Sequence, residues 1–186
     1  ARIIEDDVEK GIGALYVDAG TPGLVLGEPE DKMGWKGSDT RSIYFEDMFI
    51  PNDSILGNPS KGFKQFLKTL TGGRVTIGAL ALGTAQGAYE RALKYSHERE
   101  AFGKKINQFQ GISFKIADMA TSIQASKHLV YHAAYKKDQG EDMIKEAAMA
   151  KLFSSEMCMN VTTEAIQIFG GYGYIKEYDV ERFFRD

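Results

Sequence analysis

The chain has 186 residues, 43% of them hydrophobic and 26% charged, with a formal net charge of −3. That is enough chain for one substantial core or two small ones, and the composition is that of an ordinary soluble globular protein. A pI near 5.7 gives no electrostatic reason to expect nucleic acid or an anionic membrane as a partner.

Ala1 to Lys10 has no initiator methionine, no secretory-signal profile and no capping or strand pattern of its own. Further on, Ala14–Val17, Leu24–Leu26 and Ser42–Phe45 read as short strands, separated by turn-rich segments such as Ala19–Gly23 and Gly34–Asp39. Composition shifts near residue 60: Pro22, Pro29, Pro51 and Pro59 all precede it, and no proline follows. Fewer than about sixty residues with three or four short strands make a poor independent domain. Residues 1–59 are therefore read as the end of a larger antiparallel β-domain.

Residues 60–186 carry helical periodicity, with Ser60 as the expected cap of the first long helix. Phe63, Phe66, Leu67 and Leu70 form one set, and Ala85, Ala88, Tyr89, Ala92 and Leu93 another. The uncharged run from Val75 to Tyr89 between them is too short and too polar to cross a membrane. Its small residues Ala79, Gly83 and Gly87 suggest a stripe where another backbone packs closely, and Gly103 is placed to stop the helix.

A second helix follows from Ile112, Ile116, Met119, Ile123, Val130 and Ala134, closing at Asp138–Gly140. A third follows from Ile144, Ala148, Leu152, Ser155, Met159, Thr162, Ile166 and Phe169, ending at Gly170–Gly171. A fourth starts at Tyr178–Asp179, with Asp179 as N-cap, and is still beginning at Asp186. The fold class expected is α+β, mainly α: an antiparallel four-helix-type bundle lacking most of its last helix, preceded by the end of a β-domain.

Some motifs have bland explanations. His128 and His132 sit at i, i+4, but no glutamate follows His128, so the zinc-protease pattern fails. The single cysteine, Cys158, lies between Met157 and Met159 as a packed thiol, which excludes an internal disulfide and suits a reducing compartment. Gly170–Gly173 follows a helix rather than a strand, so neither the Rossmann nor the P-loop context holds, and alone it reads as a C-cap.

Taken together, three segments are more specific. Arg99–Gly103 with Phe109–Gln110, then Gln167–Gly171 followed by Tyr172–Tyr174, then Tyr178 through Glu181–Arg182 to Arg185–Asp186, resemble the C-terminal half of an acyl-CoA dehydrogenase. Glu30–Ser38, Phe45–Asp47, Ile50–Pro51 and Leu56–Gly57 resemble the end of that family's middle β-domain. In the family an N-terminal helical domain and most of the β-domain precede the segment that matches residue 1.

The resemblance implies FAD as cofactor, held across a dimer or dimer-built tetramer. Arg99 would reach the pyrophosphate of the flavin carried by the neighbouring subunit, with Phe102 and Phe109 beside the cofactor and Gln110 bonding near its ribityl or adenosine part. Gln167, Ile168, Phe169, Gly170 and Gly171 would present a side-chain amide and closely approaching backbone N–H groups to the same dinucleotide. Arg74 matches an arginine beside the CoA thioester pocket. Three residues earlier, where related enzymes often carry aspartate, stands Thr71.

The implied reaction is α,β-dehydrogenation of a short or branched-short acyl-CoA. A glutamate takes the α-proton, the β-hydride goes to the flavin, and an electron-transferring flavoprotein receives the electrons. A minority branch places its base at the position of Gly73, which cannot ionise, so the base is expected after Asp186 and the chain alone is expected to be inactive. The implied location is the bacterial cytoplasm or the mitochondrial matrix. The alternatives are a non-catalytic family scaffold, an acyl-CoA oxidase and an unrelated helical interaction module.

Overall fold

Small residues recur most regularly along the buried helix faces. In the computed structural model, which describes residues 1–186, α1 spans Gly62–Glu98, α2 Gln110–Asp138, α3 Ile144–Phe169 and α4 Val180–Arg185. Chain contacts divide the molecule into Ala1–Leu70 and Thr71–Asp186.

In the first unit, β1 (Arg2–Glu5) and β2 (Val8–Ile12) form an antiparallel hairpin. Asp6 and Asp7 both take positive φ, 50° and 60°, the turn whose twist matches paired strands. No strand signal marks this segment in the sequence, because a bulge between Ile3 and Ile4 breaks the alternation of side chains. Ala14–Val17, by contrast, is not a strand; only Leu15 bridges, to Ile55.

β3 (Leu24–Pro29) and β4 (Arg41–Phe45), both expected as strands, pair antiparallel with each other. Two strands alone have little to bury against, and Phe45 is 66% exposed. Ser60 does not cap α1: its hydroxyl donates to Asn58 Oδ1 at 2.7 Å instead. Entry into α1 depends on Gly62, where a Cβ would lie 2.3 Å from the Ala14 nitrogen.

The second unit is the bundle. Lys136 with Glu146, Ser126 with Ser154 and Lys115 with Glu164 pair residues that ascend α2 while descending α3, so the two helices are antiparallel. The buried positions are Val75, Gly78, Ala85, Ala88, Ala92 and Ser96 on α1, and Met119, Ile123, Ser126, Val130 and Ala133 on α2. On α3 they include Ala147, Ala150, Ser154, Met157, Val161, Ala165 and Ile168. Alternating steps of three and four residues give the narrow seam of a bundle, and small side chains let the axes approach toward about 8 Å.

This seam corrects two expectations. Ala79 and Gly83 are exposed, and Gly78 is the glycine that backs onto Ala150. On α3 three of the expected apolar core residues point away from the core: Leu152 is 58% exposed, and Ile144 and Met159 are also exposed. Side-chain size favoured them as core residues, yet close packing selects the alanine and serine face.

α4 begins after Asp179, which holds φ 49° and makes no side-chain cap. Its carboxylate instead accepts from Arg91 Nε at 2.9 Å. No helix is long and apolar enough to cross a membrane.

The hydroxyls of Ser126 and Ser154 share a 2.7 Å hydrogen bond inside the seam. Removing one leaves the other short of a partner, whereas removing both leaves an apolar contact. In the full-length protein Ser126→Ala is expected to cost about 1 kcal/mol in urea unfolding. The Ser126→Ala/Ser154→Ala double variant is expected to recover most of that loss. Additive losses in the double variant would show that the pair contributes nothing as a pair.

The hydrogen bond from Lys136 holds the Glu146 carboxyl below its ordinary value of 4.5 and lifts Lys136 above its ordinary 10.5. A lowered carboxylate stabilises the fold above its unfolded value, and that contribution disappears as pH falls. A raised ammonium stabilises below its unfolded value and loses its contribution as pH rises. Glu146→Gln is therefore expected to melt below wild type at about pH 7 and together with it at about pH 3. A gap unchanged between the two pH values would assign the loss to packing.

Candidate functional site

The last turn of α1 holds Tyr95, and Arg99 follows directly after the helix end, four residues on. Arg99 is fixed through its backbone: its N–H donates to Tyr95 O at 2.8 Å, and its carbonyl accepts from Ile106 N–H at 3.0 Å. Its guanidinium is exposed and belongs to none of the arginine ion pairs of the molecule. The flanking carboxylates are engaged elsewhere, Glu100 with Lys105 at 2.7 Å and Glu98 with Lys94 at 3.9 Å.

Beyond Arg99 comes a two-residue hairpin, β5 (Glu100–Ala101) and β6 (Lys104–Lys105). Phe102 and Gly103 form its turn with φ 51° and 81°. Glycine adopts that conformation freely, whereas a bulky phenylalanine is strained there. Phe102 is 96% exposed and meets Phe109 edge-on at 6.2 Å. An exposed aromatic held in a strained turn points to a surface built for a ligand or partner.

The opposite wall comes from the end of α3. Gly170 closes the helix with φ 60°, and a Cβ at Gly170 or Gly171 would meet nothing within 4 Å, so these backbone groups are open to close approach. Gln167 is exposed one turn earlier. Ile168 and Phe169 are core residues that also line a cleft of about 350 Å³, completed by Tyr95, Arg99, Ile106, Gly171, Tyr172 and Ile175. That volume is at the lower end for a small-molecule site. Tyr95 stacks on Phe169 at 4.1 Å, tying the two helix ends together. Burial raises the Tyr95 phenol above its ordinary value, and the nearby Arg99 charge acts against that rise.

The sequence-derived residues therefore fall into separate groups. Arg99 and Ile168, Phe169 and Gly171 line one cleft, with Gln167 and Gly170 at its edge in sequence. Phe102 and Phe109 pair beside it, and Gln110 is exposed at the first position of α2. Thr71 and Arg74 are not brought to this cleft, since Arg74 lies roughly 37 Å along α1 from Arg99. Tyr95, Ile106, Tyr172 and Ile175 were missed; the i, i+4 spacing of Tyr95 to Arg99 was the available signal.

Other groups stay apart from this site. His128 Nε2 lies 3.0 Å from the Gln124 amide. Burial pushes the Cys158 thiol above its ordinary value.

The family profile described as acyl-CoA dehydrogenase, C-terminal domain, matches residues 60–186. The probable acyl-CoA dehydrogenase YngJ of Bacillus subtilis is 53% identical over 175 residues, covering 94% of this chain and 46% of that protein. The caffeyl-CoA reductase-Etf complex subunit CarC of Acetobacterium woodii is 48% identical over 177 residues, covering 95% of this chain and 47% of that protein. The solved butyryl-CoA dehydrogenase of Megasphaera elsdenii matches with a TM-score of 0.92 at 48% identity, covering 95% of this chain and 46% of that one.

Fold and match together define an acyl-CoA dehydrogenase-type helical domain. The chain belongs to the acyl-CoA dehydrogenase family, and it spans about half the length of the curated relatives that it matches.

Proposed function

We propose that this chain is part of an FAD-dependent acyl-CoA dehydrogenase, residues 1–59 ending its middle β-domain and 60–186 forming most of its C-terminal bundle. The supporting observation is Arg99: a permanently charged planar donor, free of carboxylate partners, on a cleft whose other wall is the open Gly170–Gly171 turn. A guanidinium fork and unhindered backbone groups suit a pyrophosphate, so the donor set fits FAD. When bound, FAD supplies the acceptor for the substrate's β-hydride.

In this reading Arg99 neutralises phosphate charge, while the Gln167 amide and the backbone at Gly170–Gly171 fix the dinucleotide. Ile168 and Phe169 support that turn from the core. Phe102, with Phe109 behind it, shields the cofactor from water, and Gln110 bonds to its sugar or ribityl portion. Since Arg74 lies far along α1, it and Thr71 serve a different task, orienting the CoA thioester. Cofactor and substrate residues so far apart on one helix fit an assembly of two or four copies in which one bundle serves a neighbour's flavin.

The α-proton is taken by a glutamate placed after Asp186. Gly73, the other family position for a base, has no side chain, although open space surrounds it. The substrate class is a short or branched-short acyl-CoA, with electrons passed to an electron-transferring flavoprotein, in the bacterial cytoplasm or the mitochondrial matrix. The similarity to a caffeyl-CoA reductase subunit favours a second reading, the same chemistry run toward reduction of an α,β-unsaturated acyl-CoA.

In the full-length oligomer Arg99→Ala is expected to weaken FAD binding roughly 10- to 150-fold, the effect of about 1.5–3 kcal/mol for a charge-assisted hydrogen bond. Arg99→Lys is expected to recover only part, because an ammonium lacks the fork. Flavin content after gel filtration reads both, and equal content in wild type and Arg99→Ala would refute the contact.

Residues 1–186 alone, with FAD added, are expected to show no butyryl-CoA-dependent dye reduction. Turnover by that segment would place the base among its own carboxylates.

A further inference from the structure

Resting on the reading of Arg99 as a phosphate ligand, we infer that Tyr172 is the residue that positions its guanidinium. Arg99 Cζ lies over the Tyr172 ring, 5.3 Å from the centroid. The other arginines near this end of the bundle are held by carboxylates: Arg91 and Arg182 by Asp179, and Arg185 by Glu181. Arg99 has no such partner, and its neighbours Glu98 and Glu100 are bound to lysines. The aromatic face is thus what restrains its head group.

The ring is itself held in place. Tyr172 packs against Tyr178 at 4.8 Å, and Tyr178 meets Phe169 at 6.0 Å and Tyr95 at 6.3 Å. Tyr95 and Phe169 complete the cluster with their own stacking at 4.1 Å. The guanidinium therefore rests on an aromatic platform built from the ends of α1 and α3 and the turn after α3.

The chemistry explains why a ring suits this position. A carboxylate partner would restrain Arg99 but occupy its N–H fork and cancel its charge. A π face attracts the cation from one side and leaves the in-plane N–H groups free for phosphate oxygens. Restraining the side chain before binding lowers the entropy lost when FAD arrives.

Titration of the full-length apo-protein with FAD tests this, reading the dissociation constant and, separately, the apo-protein melting temperature. Tyr172→Phe, which keeps the ring, is expected to bind FAD within about twofold of wild type. Tyr172→Leu is expected to weaken binding roughly two- to fivefold, the range of an exposed cation–π contact. In an Arg99→Ala background the same Tyr172→Leu change is expected to have no further effect.

Should Tyr172→Leu fail to fold, Tyr172→Met fills the volume without a π face and carries the same expectations. Wild-type affinity in the leucine or methionine variant, or equal weakening in Tyr172→Phe, would overturn the inference. So would a loss that persists without Arg99, since that would assign Tyr172 to the platform alone. Unchanged FAD affinity in Arg99→Ala would instead refute the underlying phosphate reading, which separates the two failures.

Discussion

The close approach of α1, α2 and α3 along a seam in which alanine, glycine and serine alternate with a few larger apolar side chains is the constraint on which the second unit depends. Interiors pack at near-crystalline density, so where the seam side chains are small, as at Gly78 against Ala150, the helix backbones must come near one another. The Ser126–Ser154 hydroxyl pair then adds a directional tie to what would otherwise be an apolar contact.

Fixed registration has a consequence at the end of the bundle. The last turn of α1 and the last turn of α3 finish side by side, and the Tyr95–Phe169 stack at 4.1 Å holds them there. A charged side chain from one helix thereby faces an open glycine turn from the other. In the proposed reading neither end would hold the dinucleotide alone: the arginine would be one surface charge among many, and the glycines an ordinary helix stop. Strain at Phe102 is carried by the hairpin between α1 and α2, whose backbone is anchored through the Arg99–Ile106 hydrogen bond.

The first unit lacks comparable support. Its two hairpins leave Ile43, Tyr44 and Phe45 exposed, and its strands have no third neighbour. Sheet stability comes from packing one face against something else, and in this segment little is available.

Much was legible in the sequence, for identifiable reasons. Helical periodicity and glycine stops are local properties, so α2 and α3 could be placed from residue pattern, and so could the beginning of α4. The family resemblance also rested on local runs, Arg99–Gly103 and Gln167–Gly171. The buried faces of α1 and α2 were also read correctly at Ala85, Ala88 and Ala92 and at Met119, Ile123 and Val130, but the face of α3 was not. Hydropathy favours Leu152, Ile144 and Met159, yet close packing turns Ala147, Ala150 and Ser154 inward, and only the neighbouring helix decides between the two faces. The β1–β2 hairpin was hidden because a bulge removes the alternation by which strands are recognised. The ring contacts of Tyr95 with Phe169 and of Tyr172 with Arg99 stayed hidden as well, because they join elements far apart in the chain and exist only once the helices have packed.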